Sequence, residues 1–255
     1  MAEPIIELKD VSFSAQNLSV IRDLSFRFEE GKVTALAGPS GGGKSTLLKL
    51  AAGLLVPTGG EVYFRGKNIA DMNKAQNLAF RREGAVVFQD SALWANQTLY
   101  QILELPLRVH FPEMRPADRD KRIREVTAEA GYRRDLGVRP ANLSMGEQKL
   151  IAFARALLCR PRLLFLDEWT ESLDDEGAGR LIGIVRQMKE VKNTVIFVSH
   201  DLRLIQNLAD YVIMISNGGI TIHLAGEEIT RNAGMAKLME KEIDLCDSEY
   251  VLQIR

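Results

Sequence analysis

Residues 38–45 read Gly-Pro-Ser-Gly-Gly-Gly-Lys-Ser. Gly38, Gly43, Lys44 and Ser45 stand at the spacing GxxxxGK[ST], that of a loop that wraps phosphate groups. Gly38, Gly41, Gly42 and Gly43 let the backbone curl its N–H groups around an anion, and Pro39, Ser40 and Thr46 complete the segment. Lys44 is placed to reach β- and γ-phosphates, and the Ser45 hydroxyl to ligate Mg²⁺. Farther on, LLFLDE (163–168) ends an apolar run in two acids. Asp167 is placed to support the same Mg²⁺, directly or through water. Glu168 is placed to orient or deprotonate an attacking water. The two motifs together imply a nucleotide site in which a phosphoanhydride is hydrolysed.

Those groups must sit at the ends of strands if they are to meet. Val33 to Ala37 is a short apolar run before the loop, and TLLKLAAGLL after it is helix-forming. The helix is expected to start near Lys44, aiming the positive end of its dipole at the loop, and to run to about Pro57-Thr58-Gly59-Gly60. LLFLDE is a continuous apolar run, as in a buried parallel strand. Strands TVIFVS (194–199) and YVIMIS (211–216) alternate with helices near 176–190 and 202–208, so the sheet is expected to be mostly parallel with right-handed crossovers. Residues 5–9 and 24–28 alternate apolar and polar, as half-buried antiparallel strands do, and GEVYFRGKNI reads as a further edge strand. AVVF (85–88) is a short strand ending at Gln89, and Gly218-Gly219 marks a hairpin turn. Between Ser91 and Arg160 the pattern turns helical in three stretches, LYQILELPLRV, ADRDKRIREVTAEAGY and MGEQKLIAFARALL, with Pro106, Pro112 and Pro116 breaking them apart.

The bulk numbers exclude several classes. With 255 residues the chain fits one large α/β domain or a core plus a subdomain. Its 33 basic and 34 acidic residues give a net charge of -1, without a global nucleic-acid signature. No apolar run approaches the length needed to span a bilayer, and MAEPIIELKD lacks a charged-then-apolar leader pattern. The two cysteines, Cys159 and Cys246, form no CxxC; Cys159 in an apolar helical stretch reads as a buried free thiol, as in a reducing cytoplasm.

With these motifs in order, the chain resembles the ATP-binding cassette (ABC) ATPases over nearly its whole length. Gln89 resembles that family's Q-loop glutamine. LSMGEQ, from Leu143 to Gln148, resembles the signature motif LSGGQ. ESLD, Glu171 to Asp174, resembles the D-loop, and His200 in VSHD resembles the switch histidine. The resemblance implies an α/β fold: a P-loop NTPase core with a mostly parallel sheet, an N-terminal antiparallel β subdomain and an inserted α-helical subdomain. On this division 1–90 and 161–232 form the core with its β subdomain, 91–160 the helical subdomain, and 233–255 a tail that opens on a short amphipathic helix. ATP and Mg²⁺ are the implied cofactors, with Ser45, Gln89 and Asp167 around the metal and Glu168, His200, Gln89 and Lys44 in catalysis. It also implies a head-to-tail homodimer in which Leu143, Ser144, Met145, Gly146 and Glu147 of one copy close the ATP site of the other, with Asp174 in the D-loop.

The chain departs from that pattern in several places. Met145 replaces a glycine and is expected to crowd the nucleotide. Glu147 replaces a glutamine and would weaken γ-phosphate affinity if it pointed inward. Leu150 stands where an arginine is frequent, and Trp169 replaces the usual proline after the catalytic glutamate. Ala15 occupies the place of the family's adenine-stacking aromatic, with Phe13 nearby but expected on the alternate strand face.

FQDSALWANQTLYQILELPLR, after Gln89, resembles the ATPase subunits of Mla/Mce-type lipid transporters. This implies a cytoplasmic subunit held on the inner face of the membrane by a separate permease, moving phospholipid or a related lipid. Ala92, Leu93, Trp94, Leu99 and Tyr100 are the candidate permease contacts. Arg115, Arg119, Lys121, Arg122 and Arg124, followed by Arg133 and Arg134, read as a solvated basic face, with anionic lipid headgroups as an alternative. The rival reading is a soluble ABC ATPase such as that of SUF iron–sulfur assembly, which shares a Glu after the signature glycines and also lacks proline after the catalytic glutamate.

Overall fold

A computed structural model describes residues 4–16 and 18–231. The reading of a tail at 233–255, and Cys246 within it, falls outside those residues. The described chain forms two sheets. β1 (Pro4–Ala15) and β2 (Leu18–Glu29) form a long antiparallel pair, with β4 (Gly59–Phe64) on the other side of β1 and β5 (Lys67–Asn68) at the edge. Both long strands exceed the five-residue stretches read from alternation. Bulges in the β1–β2 register interrupt the period of two, and each shifts which residues face inward.

The second sheet carries the order β10-β9-β3-β8-β7-β6. β3 (Val33–Ala37), β6 (Gly84–Val87), β7 (Leu163–Asp167), β8 (Thr194–Val198) and β9 (Tyr211–Ser216) run parallel, and β10 (Gly219–Ala225) returns antiparallel at the edge. Both faces of this sheet are covered. Val33, Ala35, Leu164, Leu166, Val195 and Phe197 feed one core, which contains buried residues of α3 (Leu99–His110), α4 (Pro116–Ala130), α5 (Met145–Leu157) and α6 (Asp175–Glu190). Leu36, Leu163, Phe165, Ile196 and Val198 feed the other, with α1 (Lys44–Ala51), Phe80 of α2 (Lys74–Glu83) and the antiparallel sheet. Continuous apolar runs follow, because neither side of such a strand meets water. Short helices α7 (Leu202–Leu208) and α8 (Gly226–Arg231) complete the described chain.

Three local outcomes differ from the sequence reading. α1 stops at Ala51 rather than near Pro57, because Gly53 takes a left-handed conformation (φ +61) and the Leu54 N–H turns back to the Lys49 carbonyl. Pro106 does not break its helix but lies inside α3, where it lacks only the N–H that would bond back to Ile102. Pro112 lies in the break between helices, and Pro116 takes the first turn of α4, where its missing N–H costs nothing. α2, unread in the sequence, is closed by an Asn73–Gln76 capping box.

The expected basic face divides in two. Lys121 and Arg124 are solvated. Arg119 and Arg122 instead reach main-chain carbonyls of Met114, Leu157 and Leu158, and Arg119 also pairs with Glu104 of α3.

Candidate functional site

Sheet register sets the site. Leu36 of β3 lies opposite Val198 of β8, and Val198 lies opposite Asp167 of β7. The three carboxyl ends are therefore level, and the segments that leave them (38–43, 168–174 and 199–201) emerge at one edge, where open parallel sheets bind ligands. β6 ends one strand farther out, with Val87 opposite Leu166, and Gln89 follows two residues later.

The glycine loop folds as a cradle. Gly38 sits at φ +130, and a Cβ there would lie 2.2 Å from the Ile215 carbonyl oxygen, so only glycine fits. Lys44 opens α1, with left-handed Gly43 as the residue before it, and donates from Nζ to the Gly38 and Pro39 carbonyls at 2.8 Å each. Ser40, Gly41, Gly42 and Thr46 lie in the same loop and first helical turn. Ser45 Oγ donates to Asp167 Oδ1 at 2.7 Å across the intervening β8. A hydroxyl and a carboxylate so placed are hard oxygen donors of the kind Mg²⁺ takes. Burial holds the Asp167 carboxyl above the usual carboxylate range, with Ser45 and nearby lysines pulling the other way.

Glu168 is the first residue past β7 and has φ +41, a conformation that a non-glycine residue keeps only where its surroundings impose it. Its N–H bonds the Val198 carbonyl. Burial raises its pKa against the lowering pull of His200. His200 Nδ1 lies 3.2 Å from Glu168 Oε2 and 4.0 Å from Glu171 Oε1. Gln89 does not join Ser45 and Asp167. Its Nε2 donates to Glu171 Oε2 at 3.1 Å.

Glu171 thus joins this cluster, whereas the sequence reading gave it only as the first residue of the D-loop segment. Its signal was present as a second acid one turn beyond Glu168. Lys149 was also missed. It is buried on α5, and its Nζ donates to the main-chain carbonyls of Gln89, Phe88 (3.3 Å) and Glu168 (3.5 Å). A lysine at the spacing of the apolar face, among buried Ile151, Ala152 and Phe153, was its mark. Burial lowers its pKa.

The signature segment departs from expectation. Ser144 caps α5 and Glu147 closes a capping box, taking the Ser144 N–H at 2.9 Å while the Glu147 N–H donates to Ser144 Oγ at 3.2 Å. Arg134 pairs with the same carboxylate at 2.5 Å. The Ser144 N–H first, and then Arg134, hold its pKa below the usual glutamate value. The carboxylate is engaged by its own helix and Arg134. Met145 projects into solvent at 71% exposure, while Leu143 is buried. Gly146 must be small, since a Cβ there would come 2.8 Å from the Ser172 carbonyl oxygen. Asp174 caps α6, taking the Gly177 N–H at 2.7 Å.

Trp169 replaces its proline by filling space, fully buried with its ring 5.7 Å from that of Phe153. Phe13 packs partly buried on the second core, opposite Ile21, and Ile21 in turn lies against Gly43. Of the candidate permease contacts, Leu99 is fully buried and Leu93 and Tyr100 pack on the core, so only Ala92 and Trp94 are exposed. Cys159 is half-buried, and burial pushes its thiol up to about 11.

Comparison with known proteins gives the family. The profile described as "ABC transporter" matches residues 21–171, more than half of the chain. The nickel import ATP-binding protein NikE of Escherichia coli K12 is 33% identical over 233 residues, covering 89% of this chain and 87% of that protein. NikE of Shigella flexneri serotype 5b matches to the same extent. Among solved structures, the dimeric post-hydrolysis state of the ATP-binding cassette MJ0796 with ADP and Pi superposes with a TM-score of 0.80 at 28% identity, covering 86% of this chain and 98% of that one. CbiO1 of Clostridium perfringens, part of a cbiONQ complex, shares the fold at a TM-score of 0.74 and 24% identity, covering 98% of this chain and 99% of that one. With a glycine loop before α1 and the Ser45 hydroxyl beside the buried Asp167 carboxylate, the chain belongs to the ABC transporter family as an ATP-binding subunit that takes ATP with Mg²⁺ and hydrolyses it.

Proposed function

We propose that this ATPase powers a separate membrane permease, works as a head-to-tail pair and moves phospholipid or a related lipid. No helix among the described residues is long and apolar enough to cross a membrane. Lys44 holds and neutralises the β- and γ-phosphates. Ser45 and Asp167 would hold Mg²⁺, which supplies charge to offset the phosphates when bound, and Gln89 would have to leave Glu171 to join them. Glu168 takes the proton of the attacking water, and His200 steadies water and γ-phosphate. Leu143 to Glu147 of the second copy close the site through the N-terminus of α5. Phe13 stands nearest the position of a base-stacking aromatic, one strand removed from the loop. The subunit would sit on the cytoplasmic face, held there by its permease.

Trp94 is the observation that carries the docking reading. It is 48% exposed and lines a groove of about 440 Å³ with Gln97, Gln101, Leu105 and Arg108. Just before it, Arg155 ties the Ser91 and Ala92 carbonyls, both residues with positive φ, to α5. An exposed tryptophan over a rigid turn suits a short helix from a membrane protein. The lipid is supported by the segment from Ser91 to Arg108. A second reading, metal-ion import, is supported by the relatives described as nickel import proteins. Reconstitution with the co-purified permease in liposomes decides between them. The expected result is ATPase activity stimulated by permease and by phospholipid cargo. In Trp94→Ala the stimulated rate should fall to that of the same variant free in solution, since loss of such an anchor costs about 2 kcal/mol or more. Stimulation by Ni²⁺ and not by lipid would move the cargo to the second reading. Stable binding to a soluble scaffold and to no membrane protein would replace the transport reading with an assembly ATPase.

A further inference from the structure

Glu168, Glu171 and His200 offer a carboxylate oxygen, a second carboxylate oxygen and an imidazole nitrogen, all within 4.8 Å of one another. They are held for reasons that do not involve Mg²⁺. The Glu168 N–H is tied to Val198, and Glu171 gives its Oε2 to Gln89 while its Oε1 faces His200. His200 approaches both carboxylates through Nδ1. Glu168 is mostly covered at 12% side-chain exposure, whereas His200 at 57% leaves one side open to solvent.

We propose that these three residues form a second divalent-metal site, distinct from the Mg²⁺ position at Ser45 and Asp167, that takes a borderline transition ion of the zinc class in the nucleotide-free subunit. While filled, it withholds Glu168 and His200 from hydrolysis. Donor chemistry chooses the metal: an imidazole with two carboxylates suits zinc-class ions, whereas Mg²⁺ selects oxygen alone. Geometry agrees. Ligands about 2.1 Å from a tetrahedral ion stand roughly 3.4 Å apart. The two separations from His200, 3.2 and 4.0 Å, are within an ångström of that, and the two carboxylate oxygens lie within 4.8 Å of each other, so the ion would have to draw the cluster inward. Three protein ligands with one open side are the arrangement of an accessible zinc, and the Gln89 bond to Glu171 is the outer hydrogen bond that fixes a ligating carboxylate. The metal competes for the base that serves ATP cleavage, so the inhibitory half of the proposal rests on the roles given to Glu168 and His200 above. Binding itself does not.

The test uses the full chain with Cys159 and Cys246 changed to Ser, so that thiolates do not contribute. Zinc binding is measured without nucleotide by competition with a chelating dye. One ion per chain is expected, with affinity falling at least about tenfold in both Glu171→Gln and His200→Ala, and unchanged in His223→Ala. Absence of binding in the parent chain, or equal binding in the Glu171 and His200 variants, overturns the site. In the parent chain, MgATP hydrolysis should fall over the zinc concentrations that fill the site. Hydrolysis that persists at saturating zinc overturns the inhibitory half. A parent chain inactive even without zinc would count against the ATPase reading and leave the binding result standing.

Discussion

Lys44 and His200 flank one site but are expected to fail at different steps. Lys44 stands on the loop and donates to its carbonyls, ready to exchange them for phosphate oxygens. Its contribution is made in the ground state, and loss of such a charged hydrogen bond costs about 1.5–3 kcal/mol. Lys44→Ala should therefore weaken ATP binding about tenfold to a hundredfold in a direct titration. His200 is more than half exposed and touches Glu168, so His200→Ala should keep most of the binding and lose about a hundredfold or more in turnover. Equal loss of ATP affinity in the two variants would contradict this division. Lys44, Ser45, Asp167 and Glu168 were all legible in the sequence, because a glycine loop and an acid-ended apolar run are local patterns. Glu171 was not, since its partners Gln89 and His200 lie 82 and 29 positions away, and only the level strand ends bring them together.

Helix α5 shows how an element's own needs can claim a residue that looks functional. Ser144-x-x-Glu147 is a capping box, legible in principle from spacing alone. The same position carries a charge in a segment resembling a nucleotide-closing motif, and the local cap takes precedence. Glu147→Gln should leave the ATP concentration dependence of hydrolysis unchanged. It should destabilise the fold by less than about 1 kcal/mol, since glutamine can keep the box and the Arg134 pair is exposed. The pH sign follows from a lowered pKa. The ionised carboxylate contributes stability above its ordinary value of 4.5, and that contribution fades as pH falls through the lowered value. The difference between wild type and Glu147→Gln in urea melts should thus be present at neutral pH and shrink well below 4.5. A difference that grows in acid would mean that the carboxylate stabilises nothing when ionised.

Over the whole molecule, two covered faces make the parallel sheet readable from apolar runs, while strand order is not readable, because pairing is non-local. Nothing in residues 163–168 or 33–37 says that β8 lies between them, so the strand across which Ser45 reaches Asp167 is seen only in space. Assembly is tested at this scale. Glu168→Gln removes the carboxylate proposed as the base and leaves the Ser45 and Asp167 donors, so with ATP and Mg²⁺ it should sediment as a stable dimer. A wholly monomeric Glu168→Gln under those conditions would show that the subunit does not close by itself. Lys149 bears on how such closure is felt inside one subunit. Its amine rivets α5 to the chain at Phe88, Gln89 and Glu168 and grips only peptide oxygens. Replacing the side chains at 88, 89 or 168 therefore leaves the rivet in place. A pull on α5 thus reaches the turn at Gln89 and the residue that follows β7 whatever side chains those segments carry, with Arg155 as a second tie from the same helix to Ser91 and Ala92.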